Sequence, residues 1–464
     1  MDASYAFAKN LTTLKYEDIP QDVVDITKKH VLDVLGCAMG GSSKAGVREL
    51  LELVTEWGGK EESTILCFGN KFPTPNAAQV NATMCHALDY DDTGSGPVHA
   101  SAVIVPTCLT IAERQGKFSG KEFITAVTLG LDMICRLGLA FNKGLTGPTA
   151  NGHPGAGWHL TPLYGFLAAA GVSGRIIGLS EEEIVNALGI AYHQCAGNGQ
   201  CVVDGALTKR MGPGFAAKGG ITAALMAQKG ITGAPNCIEG ECGLYPLYHQ
   251  GKYDAKALTA DLGKHFEGTS VSMKPFPCCM GTHGHVRAAL GLVNEQGIKA
   301  EDVEEILLYA HGQGALSVPL EVKAYPRNLV DSQFSIPWAV AVVIAKGKTS
   351  IGDFTEEAIR NPDILKIADK IKLDMDTVPA ESEGASITRM KVTTKNGDVY
   401  YGKTEGGLGG PRSTLPFSDY ESKFRDCVSY AIKKLPDGNV DKVVEMIKNL
   451  EEVDDVREII KLLS

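Results

Sequence analysis

The twelve cysteines of this 464-residue chain include no C-x-x-C pair. That absence argues against a zinc ribbon, a thioredoxin-type redox pair and the usual iron–sulfur ligation. Blocks of Lys and Arg are missing too. The chain has 45 Lys and Arg against 55 Asp and Glu, a net charge of −10. The electrostatic footprint of a nucleic-acid or acidic-membrane binder is therefore lacking. A small anionic ligand stays open, because a few local cations can outvote the global charge. The longest apolar stretches, such as 339–345, fall far short of the roughly 20 residues that span a bilayer. Met1 to Asn10 has neither a basic start nor an apolar run, so no export signal is expected. The cysteines then read as buried free thiols of a cytoplasmic protein. No solenoid repeat and no low-complexity linker is visible. With 44% hydrophobic and 22% charged residues, the chain has an ordinary globular composition.

The helical period governs residues 21–250. Val23, Ile26, Val31, Val34 and Leu35 recur at mostly three- and four-residue spacing. Ser119 to Glu122 forms a capping box, with Phe118 and Phe123 as its hydrophobic staple. Ser180 to Glu183 repeats the device with Leu179 and Ile184. Segments 166–177 and 215–228 are rich in Ala and Gly and poor in charge, as in the middle of a large helical bundle. After about His265 the texture changes. Residues 306–310 are β-like, and 388–394 alternate, turn at Asn396-Gly397 and alternate again over 399–401, a hairpin signal. Helical stretches at 283–295, 338–345 and 355–361 lie between. From Pro416 the chain returns to helix, over 420–432 and 440–449, and is expected to pack back on the first domain. The fold class is mainly α: an all-helical domain of residues 1–268 and 405–464, and a smaller α+β lid domain of residues 269–404.

Chemistry concentrates in a few places. The first is His86-Ala-Leu-Asp-Tyr-Asp-Asp-Thr93, with His99 six residues on, after a small, apolar, helix-forming run over 76–85. Polar groups at the end of a buried helix are costly unless paired, which favours a site over a surface. The bland alternative makes the Asp residues caps and His86 a satisfied core histidine. A Gly-rich stretch, Gly152-His153-Pro154 to Gly157-Trp158-His159, allows close backbone approach to a ligand, although glycine clusters also mark plain turns. Thr208-Lys209-Arg210 sits at the start of an apolar helix, where dipole and cations together would attract an anion; simple surface exposure is the alternative. Lys274-Pro-Phe-Pro-Cys-Cys279 precedes His283 and His285. A metal reading is disfavoured there, because adjacent cysteines and an H-x-H chelate poorly together. Arg327, in Ala324-Tyr-Pro-Arg-Asn328, either forks onto a carboxylate or is a loop cation.

These segments, with Gly157-Trp158-His159, Gln333-Phe-Ser-Ile-Pro337 and Lys423-Phe-Arg-Asp-Cys427, resemble the MmgE/PrpD family in order and spacing across nearly the whole chain. Family members include 2-methylcitrate dehydratase, cis-aconitate decarboxylase and iminodisuccinate epimerase. The resemblance implies a large helical domain built from both chain ends, a smaller lid, a homodimer, and neither metal nor organic cofactor. It maps the decarboxylase's site residues onto Asp89, Thr93, His99, His159, Lys209 and Lys274. One position departs. Cys279 stands where decarboxylase-like members carry a histidine, and the epimerase is similar to this chain in having a cysteine there.

The reactions of this family share a carbanion or enediolate beside a carboxylate. Without a metal, fixed cations and donors must stabilise that charge. Lys209 and Lys274 are the expected carboxylate clamps, with Thr93 and Arg327 as further substrate-binding residues. His159 is the expected general base and His99 the acid or second proton carrier. Asp89 is expected to orient a histidine or lysine. The expected function is acid/base chemistry on a small di- or tricarboxylate, most specifically 2-methylcitrate dehydratase-like loss of water. Epimerisation, with Cys279 as a second base, and decarboxylation are the alternatives, and a non-catalytic carboxylate binder is the remaining one. The site is expected between the two domains.

Overall fold

The computed structural model describes residues 1–94, 96, 98–141, 157–377, 386–405 and 415–464. The first capping box forms as expected: Ser119 Oγ accepts from the Glu122 N–H, and Glu122 reaches back to the Ser119 N–H at 3.1 Å. The second, Ser180 with Glu183, does the same. Each satisfies helix-end donors that would otherwise be orphaned.

The helices Gln21–Gly41, Thr74–His86, Ser101–Gln115, Gly120–Ala140, Leu160–Ile176 and Thr208–Gln228 share one apolar core. Small residues let three of them approach closely. A Cβ on Gly214 would lie 2.4 Å from Thr83 Oγ1 and 2.5 Å from the Gln79 carbonyl, so only glycine fits between helices Thr208–Gln228 and Thr74–His86. A short antiparallel ribbon, Ser63–Thr64 with Lys71–Phe72, interrupts this otherwise helical part. The C-terminal helices Phe417–Ser429, Asn439–Lys448 and Arg457–Leu462 add Tyr420, Phe424, Val443 and Ile459 to the same core.

A second core, from Cys278 to Val392, surrounds a four-stranded sheet. Its strand order is Ile371–Asp374, Val303–Tyr309, Ser386–Thr394, Val399–Glu405, with the first pair parallel and the others antiparallel. The hairpin turns at Gly397, whose φ of +88° suits glycine. Helices His283–Asn294 and Ile336–Lys346 belong to this core.

Two sequence readings change. The helix expected over 355–361 reduces to a 3₁₀ turn, Ala358–Arg360, followed by the helix Pro362–Ala368. Proline is well placed at the first helical position, where its missing N–H costs nothing, and Asn361 caps it. The 21-residue helix Gly120–Ala140 is also long and apolar enough to cross a membrane, contrary to the reading that every apolar stretch is too short. Its most apolar window is 94% buried inside the protein. Thr125, Thr128, Asp132 and Arg136 interrupt its apolar run and hid its length.

That helix carries a buried ion pair. Arg136 Nε lies 2.8 Å from Asp132, and its other nitrogens donate to the carbonyls of Ala260 and His265, each at 2.7 Å. The pair thereby ties the bundle to the segment leading into the second core. Arg136→Leu leaves Asp132 buried without its cation and the two carbonyl contacts unmade. Breaking such a pair typically costs about 3–5 kcal/mol. Urea unfolding should show a loss of that size, and a loss below about 1 kcal/mol would contradict this account.

Candidate active site

The Thr74–His86 helix ends where its polar residues begin. Ala87 is its C-cap, and two residues later Asp89 adopts φ +50°, a left-handed conformation that Asp tolerates better than most side chains. This reversal leaves the Asp89 carboxylate buried between two ammonium groups. Lys209 donates to Oδ1, and Lys274 donates to Oδ2 at 2.8 Å and to the Asp89 carbonyl at 2.9 Å. Burial would push the Asp89 carboxyl up; the two lysines overturn that and hold it well below the usual carboxylate range. For Lys274, burial favours the neutral amine, but Asp89 and then Asp91 outweigh it and raise its pKa.

Lys209 also donates to His86 Nε2 at 2.9 Å. An ammonium has no lone pair, so Nε2 must be the acceptor and Nδ1 must carry the proton. Nδ1 donates to both oxygens of Asp91, at 2.9 and 2.8 Å. His86 is thus locked between Lys209 and Asp91. Next to it, His99 packs with ring centroids 4.6 Å apart, and His159 stacks at 6.1 Å. His99 Nδ1 lies 2.7 Å from the Asp92 carbonyl, an acceptor, so Nδ1 is protonated and Nε2 keeps its lone pair. In this tautomer His99 Nε2 is an acceptor. His159 caps the helix Leu160–Ile176, its Nε2 has no protein partner, and Gly212 packs against its ring. Burial first, then nearby ammonium charge, lowers the pKa of both His99 and His159 well below the ordinary value of 6.5.

The N-termini of helices Ser101–Gln115, Leu160–Ile176 and Thr208–Gln228 therefore open beside this cluster, adding positive dipole ends to the two lysines. A cleft of about 580 Å³, lined by His159, Pro162, Phe166, Gln194, Phe215 and Lys218 among others, borders it on the His159 side.

The second core contributes Lys274 and Cys279. Cys279 caps a 3₁₀ turn, Met280–Thr282, and its N–H donates to the Gln333 carbonyl at 2.9 Å. Burial pushes its thiol pKa up, and the Asp89 charge adds to this against the pull of Lys274 and Lys209. Thr93 reaches the site's edge through a backbone bridge to Ser272, with N···O distances of 3.0 and 2.8 Å. Arg327 is not brought to the cluster. Its guanidinium forks onto Asp331 at 2.7 and 3.2 Å and is 57% exposed. Residues 152–156, His153 included, lie outside the described residues.

Two further groups stand behind the cluster. Arg210 is buried and donates to the Ala45 carbonyl and to Gln333 Oε1, while Gln333 Nε2 donates to the Leu88 carbonyl at 2.8 Å. Gln333 thus joins the two cores directly behind Asp89. The sequence marks Gln333 only as the start of the Gln333–Pro337 motif and attaches no such role to it. His283 and His285, by contrast, are buried and each bonds through Nε2 to a carbonyl, that of Cys278 and that of Tyr309.

His86, Asp91 and His99 could each offer a metal one ligand atom, all within 4.8 Å of one another. Their geometry is that of hydrogen bonds, 2.8 Å for His86 to Asp91, and Lys209 at 2.9 Å from His86 would repel a cation. The donor set fits an anion better than a metal.

Residues 5–256 match the MmgE/PrpD N-terminal domain and residues 276–449 the MmgE/PrpD C-terminal domain. Cis-aconitate decarboxylase of Homo sapiens is 26% identical over 99% of this chain and 94% of its own length. The Aspergillus terreus protein of that name is 24% identical over the same shares. The 2-methylcitrate dehydratase of Salmonella typhimurium is 23% identical over 44% of this chain and 43% of its own.

The depressed imidazole pKa values have a measurable consequence. A base whose pKa is lowered stays unprotonated to lower pH, so activity persists further into acid. The acid limb of kcat/KM, which reports the free enzyme, is expected below pH 6.5. A limb at or above 6.5 would contradict the burial-driven shift. The two family domains account for most of the chain, and the chain belongs to the MmgE/PrpD family.

Proposed function

We propose that the protein is a lyase that abstracts a proton next to a carboxylate of a small di- or tricarboxylate and expels water. The observation that carries this reading is the single carboxylate, Asp89, set between two buried ammonium groups beside imidazoles held neutral. Asp89 is shared by both ammonium groups and holds them in place, and their remaining N–H donors are left to face the substrate's carboxylate and the enediolate that forms from it.

His159 is the general base in this reading, because its Nε2 has no protein partner. His99, with its lone pair on Nε2, is a second acceptor. With both imidazoles bare, the proton for the departing hydroxide comes from an ammonium or from the Cys279 thiol. The α-proton passes to imidazole, the C–H electrons form the alkene, and the C–O electrons leave with the hydroxyl as water. No metal takes part, and the enzyme is expected to keep its activity after treatment with a chelator. A homodimer is the assembly in keeping with the family.

Epimerisation is a second reading, favoured by Cys279. The helical part supplies the imidazoles, whereas the second core supplies the thiol, with Asp89 and both lysines acting on it electrostatically. A carbanion deprotonated by imidazole could be reprotonated by that thiol. Carbon dioxide release is kept among the measured outcomes, because the human and A. terreus relatives, which align over nearly the whole chain, are cis-aconitate decarboxylases.

A panel of citrate-like, malate-like and aspartate-derived substrates in deuterated water separates these. An alkene with loss of water supports the proposal. Deuterium in a recovered, inverted substrate makes it an epimerase, and carbon dioxide makes it a decarboxylase. On the turned-over substrate, Lys209→Ala and Lys274→Ala should each raise the barrier by about 2.7–4 kcal/mol. Near-wild-type turnover in both would remove the clamp assignment.

A further inference from the structure

Beneath the cluster lies another fully buried lysine, from a third segment of chain. Lys423 sits in the C-terminal helix Phe417–Ser429, which packs on the helix Gln21–Gly41. Its ammonium donates to the Tyr90 carbonyl at 2.6 Å and to the Lys274 carbonyl at 3.0 Å. It lies 2.7 Å from Asp33 Oδ1 and 3.9 Å from the centroid of the Tyr90 ring. Tyr90 directly follows Asp89, so one charge grips the backbone of both loops that carry the Asp89–Lys274 pair.

We propose that Lys423 is a positioning residue that sets the distance between the Asp89 loop of the helical part and the Lys274 loop of the second core. Two carbonyl oxygens held by one ammonium cannot drift apart, and neither loop has a regular helix or sheet ladder at that point to hold it otherwise. The Thr93–Ser272 bridge pins the same two loops a few residues away, so the clamp closes the free end of a short double tie. Asp33 has a different task. It balances the buried charge without touching either loop carbonyl. A lysine acts here better than an arginine fork would, because three donors diverging from one nitrogen match three acceptors around a point. The assignment rests on the reading that Asp89 and Lys274 are catalytic, and small displacements of such groups are costly: about 1 Å can lower turnover 10²-fold.

The test removes both charges together, since apolar replacement of a whole buried ion pair is commonly tolerated where removal of one partner is not. Asp33→Asn/Lys423→Met is expected to fold, with kcat lowered roughly 30- to 100-fold and KM changed by less than about threefold. Amide exchange should rise in peptides covering residues 88–93 and 272–279, and far less in the helix Gln21–Gly41. Unchanged kcat in the double variant, an unchanged exchange pattern in the two loops, or exchange rising equally throughout the Gln21–Gly41 helix would each overturn the proposal. If Met is not tolerated, Asp33→Asn/Lys423→Gln, which retains one amide donor pair, is read by the same measurements. Should the wild-type protein turn over no carboxylate in the panel, the function reading fails, and the exchange measurement still decides on the clamp.

Discussion

The structure turns on one carboxylate shared by two cations. Asp89 comes from the end of a buried helix, Lys209 from the first turn of another 120 residues later, and Lys274 from the segment entering the second core. Burying any one of these charges alone would be prohibitive. Together they are tolerable, and only if all three segments are in place. The pairing therefore fixes how the bundle meets the sheet domain, and Gln333 and Lys423 reinforce the same junction from behind.

The shared carboxylate also organises the chemistry. By accepting from both lysines it keeps them aimed, and through Lys209 it sets the His86 tautomer, which in turn orders Asp91. His99 receives its tautomer separately, from the Asp92 carbonyl. Burial pushes the Asp92 carboxyl up to about 7, while Asp89 remains ionised. Neighbouring aspartates in one loop are thus driven apart by their surroundings, which is how similar groups acquire different roles.

Much of this was legible in sequence because it is local. Acids and imidazoles crowded after an apolar helix, two S-x-x-E boxes and an Asn-Gly hairpin each carry their physics within a few residues. The cluster from His86 to His99 could be located that way, and so could the change from bundle to sheet. Long-range partners could not. Nothing near Lys209 says that it meets His86, 123 residues away. Gln333 and the carbonyl contacts of Lys423 depend on tertiary contact alone. The tautomer of His99 depends on a backbone oxygen, which no side-chain pattern reveals.

The central claim is that Asp89 holds Lys274 charged inside the protein. Selective isotopic labelling of lysine allows the Lys274 Nζ to be titrated in the wild type and in Asp89→Asn. Burial lowers this group's pKa and Asp89 raises it above its ordinary value. The account predicts titration above the ordinary lysine value, about 10.4, in the wild type and a clear fall below it once the carboxylate is neutralised. The same titration in both proteins would contradict it.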